Sequence, residues 1–252
     1  MEIKIPRESF FAPIAIMVKN NVPINSIIDI GCADGTFALE FCRVFGKEKN
    51  VLNIDAQPIY EPSLRKIQQV TGEFYKITAV SSFNGKINFN INNDDQNFYW
   101  GGISKEGNFV ECRTLDSLVE EFKLPEPYFI KMDIEGAEFS ALQGAVDILD
   151  KTAALLLETD IFYGAKSCGN FHDIYSFLAA RNFSLFDILS LGHRPTDGAL
   201  YQIYTVFLNK KYEFRDKTNF TTGETQTNMI AAAMKERRQS MIALNDEILR
   251  NW

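Results

Sequence analysis

The sequence predicts an α/β protein in which a mostly parallel sheet carries helices on both faces and ends in an antiparallel hairpin. Three observations predict it. Short aliphatic or β-branched runs alternate with apolar helical faces, glycines punctuate the first strand-to-helix turn, and the last two strand-like runs have no helix between them. At 252 residues, with 46% apolar and 23% charged, the chain can bury one large core, and disorder or a fibrous repeat is excluded. The expected layout is an N-terminal extension (1–25), one α/β domain (26–209) with an insertion at about 82–113, and an amphipathic tail helix (220–252).

The elements follow in order. Phe10 to Val18 is a nine-residue apolar run behind Lys4 and Arg7. It carries Pro13, follows Glu8 and has no small-residue cleavage site, so it reads as a short packed element and not a secretion signal. Ser26 to Ile30 is a buried parallel strand bounded by Gly31. Phe37, Phe41, Val44 and Phe45 then recur on one helical face that stops at Gly46. Val51 to Asp55 is the second strand, Pro62 opens a helix to Val70, and Phe74 to Val80 is the third strand.

Lys86 to Ile91 and Phe109 to Arg113 are strand-like pieces of an inserted or edge hairpin, with an aromatic loop at Phe98, Tyr99 and Trp100. Thr114 caps a helix whose Leu115, Leu118, Val119 and Phe122 share a face. Tyr128 to Asp133, a helix from about Ala137 to Leu149, and Ala153 to Glu158 resume the alternation. A helix from His172 to Arg181 and strands at Phe183 to Leu189 and Tyr201 to Leu208 complete it. In the tail, Ile230, Met234, Arg237, Met241, Leu244 and Ile248 recur at 4, 3, 4, 3 and 4 residues. That seam suits a homo-oligomer or partner helix, or an amphipathic helix packed on its own domain.

Charge and cysteines narrow the class. Lys plus Arg total 26 against 33 Asp plus Glu, a net charge of -7 without a long basic block, which disfavours nucleic acid and anionic membranes as partners. No run approaches the roughly 20 apolar residues of a membrane span. Cys32, Cys42, Cys112 and Cys168 lack zinc-knuckle spacing and read as free thiols of a cytoplasmic protein.

Two constellations carry chemistry. The first is the turn Asp29-Ile-Gly31-Cys32-Ala33-Asp34-Gly35 with Asp55, 20 residues after Gly35, at the end of the second strand. This is a Rossmann-like crevice, in which glycine admits a ligand to the backbone and the strand-two acid accepts ribose hydroxyls. A dinucleotide turn wants a second glycine where Ala33 stands, and Asp34 repels a pyrophosphate. The acidic turn suits a cationic amino-acid end on a neutral nucleoside, which describes S-adenosylmethionine (SAM). Asp29 or Asp34 would face the ammonium and sulfonium. The second constellation is Lys131-Met-Asp133-Ile-Glu135-Gly-Ala-Glu138, three carboxylates within six residues where a strand becomes a helix. Asp133 would point into the same crevice; dipole compensation alone also explains Glu135 or Glu138.

Together these residues resemble the FkbM family of SAM-dependent methyltransferases. The resemblance runs from about Ile27 to Leu208. It rests on Asp29-x-Gly-x-x-x-Gly35, Asp55, Ala79-Val80-Ser81 with Gly85, Thr114-Leu-Asp116, Lys131 to Glu138 continued by Leu-Gln-Gly-Ala145, Glu158, and the Asp197 to Phe207 hairpin. It implies a class I methyltransferase fold. It also implies SAM contacts from Asp29, Gly31, Cys32, Ala33, Asp34, Gly35, Asp55, Ala79 and Val80, and O-methylation of a saccharide or other small-molecule hydroxyl.

Such a hydroxyl is a weak nucleophile and needs a base. Asp133 is the first candidate and Glu158 on the neighbouring strand the second. The pair could share a proton or hold a divalent cation through oxygen ligands, and the sequence leaves both open. His193, in a loop before the last hairpin, and Trp100 are candidate substrate contacts. A nicotinamide-dinucleotide oxidoreductase and a non-catalytic scaffold that associates through the tail are the alternatives.

Overall fold

The computed structural model describes residues 5–91, 101–103, 108–162, 169–215 and 224–250. They fall into two compact units, residues 1–213 and 214–252. The first unit opens with helix α1 (Phe11–Lys19), strand β1 (Ser26–Ile30), α2 (Thr36–Phe45), β2 (Asn50–Asp55), α3 (Glu61–Thr71), β3 (Phe74–Ile77) and β4 (Ala79–Val80). Strands β5 (Gly85–Ile91), β6 (Gly101–Ile103) and β7 (Asn108–Arg113) lead to α4 (Leu115–Phe122) and β8 (Tyr128–Met132). Helices α5 (Glu138–Gln143) and α6 (Val146–Leu149), β9 (Thr152–Asp160), α7 (Phe171–Ala179) and the hairpin β10 (Phe183–His193) and β11 (Leu200–Asn209) complete it.

The main sheet has the order β10-β11-β9-β8-β1-β2-β3. Strands β3, β2, β1, β8 and β9 are mutually parallel, and β11 enters antiparallel between β9 and β10. Six strands therefore run one way and one runs against them. This is a doubly wound, mostly parallel sheet with a closing antiparallel hairpin, as the sequence predicted.

Each face of the sheet follows from strand alternation. Ile28, Ile30, Leu52, Ile54, Ile130, Met132, Leu155 and Leu157 share a buried cluster with Leu118 of α4, Leu142 of α5, Ile148 of α6 and Leu178 of α7. On the opposite face, Phe129 packs on Phe37 and Phe41 of α2, and Phe11 of α1 stacks on Phe37 at 5.3 Å. The N-terminal apolar run is thus a packed helix.

Two elements differ from the sequence reading. The run Phe74 to Val80 is broken at Thr78, whose N–H donates to the Asp55 carbonyl at 2.8 Å. Beyond it, β4 leaves the main sheet and pairs with β7 in a second, four-stranded sheet ordered β4-β7-β5-β6. The helix expected from Ala137 to Leu149 is interrupted at Gly144, where a side chain would stand 2.2 Å from the Ser81 carbonyl. The two backbones pack directly there. The Asp116 carboxylate then accepts from the N–H groups of Asp147 and Ile148 and restarts the chain as α6.

The second unit contains α8 (Glu224–Arg250), a single helix on which Met234 and Met241 of the predicted seam are exposed. Among the described residues no helix is long and apolar enough to cross a membrane, and Cys32, Cys42 and Cys112 are free and buried. Cys168 lies outside the described residues.

Because Phe129 is fully buried between strand β8 and two rings of α2, Phe129→Ala is expected to lower stability by about 3–5 kcal/mol, read as a lower urea midpoint. A loss below 1 kcal/mol would show that α2 does not rest on this face.

Candidate active site

The carboxyl ends of β1, β2 and β8 open on a cavity of about 200 Å³. Gly31, Ala33, Asp55, Gln57, Thr78, Ala79, Val80, Asp133 and Glu135 line it with apolar groups that include Phe89, Ile134 and Ala137. Gly31 is required there by sterics. It has φ +71°, and a Cβ would lie 1.8 Å from the Asp133 carbonyl, so the first turn can approach the end of β8 only without a side chain. Asp55 ties that turn together: Oδ2 accepts from the Ala33 N–H at 2.9 Å and Oδ1 from the Gln57 N–H at 2.8 Å. Burial raises its carboxyl above the ordinary range, which the two N–H donors oppose.

Beneath the cavity a buried ion pair fixes the strand ends. Asp29 and Lys131 are register partners on β1 and β8, so their side chains emerge side by side on one face. The Lys131 ammonium stands 3.1 Å from Asp29 Oδ1 and 3.6 Å from Asp133 Oδ2, and it donates to the Gly31 carbonyl at 3.1 Å. Burial pulls its pKa down, and the two carboxylates more than restore it, so the lysine remains charged.

Beside Asp133 lies a second acidic group. Glu158 on β9 faces Tyr204 on β11 across the antiparallel register. The Tyr204 hydroxyl is 2.9 Å from Asp133 Oδ2 and 3.2 Å from Glu158 Oε1, and its single proton can serve one of them at a time. Burial, and then the charges of Asp133, Glu138 and Glu135, push Glu158 up to about 9. Burial and the flanking Asp133 and Glu158 carboxylates raise the Tyr204 phenol far above its usual value. Phe10 packs on the Tyr204 ring at 4.6 Å.

Of the residues expected to bind cofactor, Gly31, Ala33, Asp55, Ala79 and Val80 line the cavity. Asp29, Cys32, Asp34 and Gly35 do not. Asp29 is fully buried behind Lys131, and Cys32 is buried with its N–H on the Ile54 carbonyl. Asp34 turns away to accept from the N–H and hydroxyl of Thr36 at the start of α2, and Gly35 precedes that helix where a Cβ would press on Ile67 at 2.8 Å and Leu64 at 3.1 Å. His193 ends strand β10, where the sequence suggested a loop before the hairpin, and is exposed on the sheet's edge strand. Trp100 lies outside the described residues. Sequence reasoning missed Tyr204. Its signal was the antiparallel pairing of the closing hairpin with the strand that carries Glu158.

The cavity offers an acidic acceptor for hydroxyl donors, apolar walls for a flat ring, and a carboxylate cluster at one end. A family model described as "Methyltransferase FkbM domain" matches residues 29–185. The chain belongs to the FkbM methyltransferase family. By family it is therefore a methyltransferase, in agreement with the motifs. The FkbM chain is also similar in structure to TrmK of M. capricolum in complex with S-adenosyl-homocysteine. Identity there is 13%, with 94% of this chain and 87% of that one covered and a TM-score of 0.45. Magnesium protoporphyrin IX methyltransferase from Synechocystis PCC 6803 with bound SAM is 13% identical over 78% of this chain and 77% of that one, with a TM-score of 0.40. The ribosomal protein L11 methylase of Lactobacillus delbrueckii subsp. bulgaricus is 11% identical over 79% and 76%, with a TM-score of 0.41. No curated protein matches the FkbM chain significantly.

Glu138 yields a pH prediction. It is buried, accepts from the Ile134 N–H at 2.8 Å, and burial pushes it up to about 7. A carboxyl whose folded pKa lies above its unfolded one holds its proton longer when folded, so its contribution to stability falls as pH rises from about 4.5 to 7. The amide of Glu138→Gln can keep the Ile134 bond without a charge. The variant should therefore gain on the native chain across that window, measured by urea unfolding. A gap independent of pH would contradict the buried-proton account.

Proposed function

We propose that the FkbM chain is an O-methyltransferase acting on a hydroxyl of a saccharide or another small polyhydroxylated metabolite. The observation that carries this reading is the double position of Asp133, which both lines the cavity and joins the carboxylate cluster through Tyr204. One residue thus touches the place for a cofactor and the place for an acceptor. The donor set of the cavity fits SAM. Asp55 takes the ribose hydroxyls with lone pairs its two N–H partners leave over, while Ala79, Val80 and Phe89 wall the base.

Bound there, SAM supplies a methyl on a positively charged sulfur, which leaves with the S–C electron pair as the acceptor oxygen forms its O–C bond. The protein holds the acceptor oxygen in line, a positioning effect worth about 7–11 kcal/mol in general. Asp133 receives the hydroxyl proton as that bond forms. Such general-base assistance contributes about 10²–10⁴-fold. Lys131 keeps Asp133 in place and offsets its charge. Tyr204 and Glu158 orient the far side of the carboxylate, where a sugar offers further hydroxyls to acidic acceptors. The net charge of -7 and the acidic cluster favour a neutral hydroxylated acceptor over a phosphate-rich one.

Asp55→Ala should weaken SAM binding by about 10–100-fold, the loss of hydrogen bonds to a charged acceptor, by calorimetric titration. Unchanged affinity would remove the ribose assignment. Asp133→Asn should bind SAM within a few fold of the native chain yet lose about 10²–10⁴ in kcat on a saccharide acceptor. Full turnover would exclude Asp133 as the base.

A further inference from the structure

We propose that Asp133, Glu135 and Glu158 bind one hard divalent cation beside the cofactor cavity. Each offers a carboxylate oxygen, and these three atoms all lie within 4.8 Å of one another. Two oxygens on the same ion cannot be farther apart than twice the metal–oxygen distance, about 4.2 Å for Mg²⁺ and about 5 Å for Ca²⁺. Three oxygens at that outer limit stand about 2.8 Å from their common centre, so one ion holds all three once the ligands draw in by about 0.3 Å for Ca²⁺ or about 0.7 Å for Mg²⁺.

The arrangement also lacks what an occupied site would supply. Glu158 is 8% exposed, and its Oε2 has no hydrogen-bond donor. A buried carboxylate oxygen left without a donor is costly. Its other oxygen shares one phenol proton with Asp133. The lysine at hand stands nearer Asp29 than Asp133, at 3.1 Å against 3.6 Å. A cation in the cluster would give Oε2 a partner and offset the gathered negative charge.

The ligand set selects the ion. Three carboxylates with no thiol or imidazole in the group favour Mg²⁺, Mn²⁺ or Ca²⁺ over Zn²⁺. In an octahedral site three protein oxygens leave three positions for water or for acceptor oxygens. Asp133 directly follows β8 and Glu158 lies near the end of the adjacent parallel strand β9, so those positions fall in the crevice where open α/β sheets bind ligands.

The cation deepens the proposed function, and this step rests on that reading. An alcohol oxygen on a divalent cation is more acidic, which eases the transfer of its proton to the Asp133 oxygen that does not hold the ion. A metal with more than one open position also prefers an acceptor with neighbouring hydroxyls. The acceptor class narrows to vicinal diols, with the methylated oxygen one of the pair.

The test is a titration of the full chain with Mn²⁺, followed by the loss of the free-ion paramagnetic resonance signal, with Mg²⁺ and Ca²⁺ as competitors. One saturating ion per chain is expected, displaced by either competitor, with Glu135→Gln and Glu158→Gln each weakening it at least tenfold. Absence of saturable binding, or binding that both folded variants retain, overturns the site. Glu135 is partly exposed, so Glu135→Gln keeps the test decisive if the buried Glu158→Gln fails to fold. A parallel SAM titration of the cation-free native chain separates the two readings. SAM binding without Mn²⁺ binding overturns the cation site and leaves the cofactor reading standing, while Mn²⁺ binding without SAM binding does the reverse.

Discussion

The Lys131 ammonium is the charge on which the rest of the site depends. It is buried between Asp29, Asp133 and the Gly31 carbonyl, and it joins the ends of two neighbouring strands to the turn that follows one of them. An unpaired charge at this depth would cost several kcal/mol, so the lysine and its carboxylates are mutually required. Because Asp29 is its register partner, the pair also sets β1 against β8. Gly31, Ala33, Asp55 and Asp133 reach the cavity from the ends of those two strands and of β2, which Asp55 ties back to the same turn, while Thr78, Ala79, Val80 and Phe89 close its other side.

Much of this was legible in the sequence because it is local. Alternation and helical periodicity place the strands and most helices, and Thr114 does accept from the Ser117 N–H to cap α4. Gly31, Asp55 and Asp133 could be read as facing one crevice because the carboxyl ends of parallel strands converge there. Asp34 shows the limit of that argument. Its carboxylate accepts from the N–H and hydroxyl of Thr36 two residues away, a local cap that the strand-end argument does not see.

What was not legible depends on contacts between distant segments. The break at Thr78 is set by the Asp55 carbonyl, and the break at Gly144 by the backbone of Ser81. Neither partner can be read from the interrupted segment. Tyr204 enters the site through its register opposite Glu158, 46 residues away, and the hydrophobic pattern of β11 alone does not reveal that pairing. The cover over Asp29 is of the same kind: only the parallel register reveals that Lys131 lies against it.

The position of β11 bears on the order in which the site can be built. It lies between β9 and β10 yet follows both in the chain, so the sheet cannot close until residue 209 has left the ribosome. A nascent chain halted after β9 already contains Gly31, Asp55, Asp133 and Glu158, but Tyr204, the hydroxyl that spans the two carboxylates, is still to be made. Such pairings over long sequence separations are slow to form because loop closure precedes their contacts. Maturation of the acidic cluster is thereby coupled to docking of the final hairpin, and the glycine turn after β1 and the carboxylate cluster are completed at different moments of synthesis.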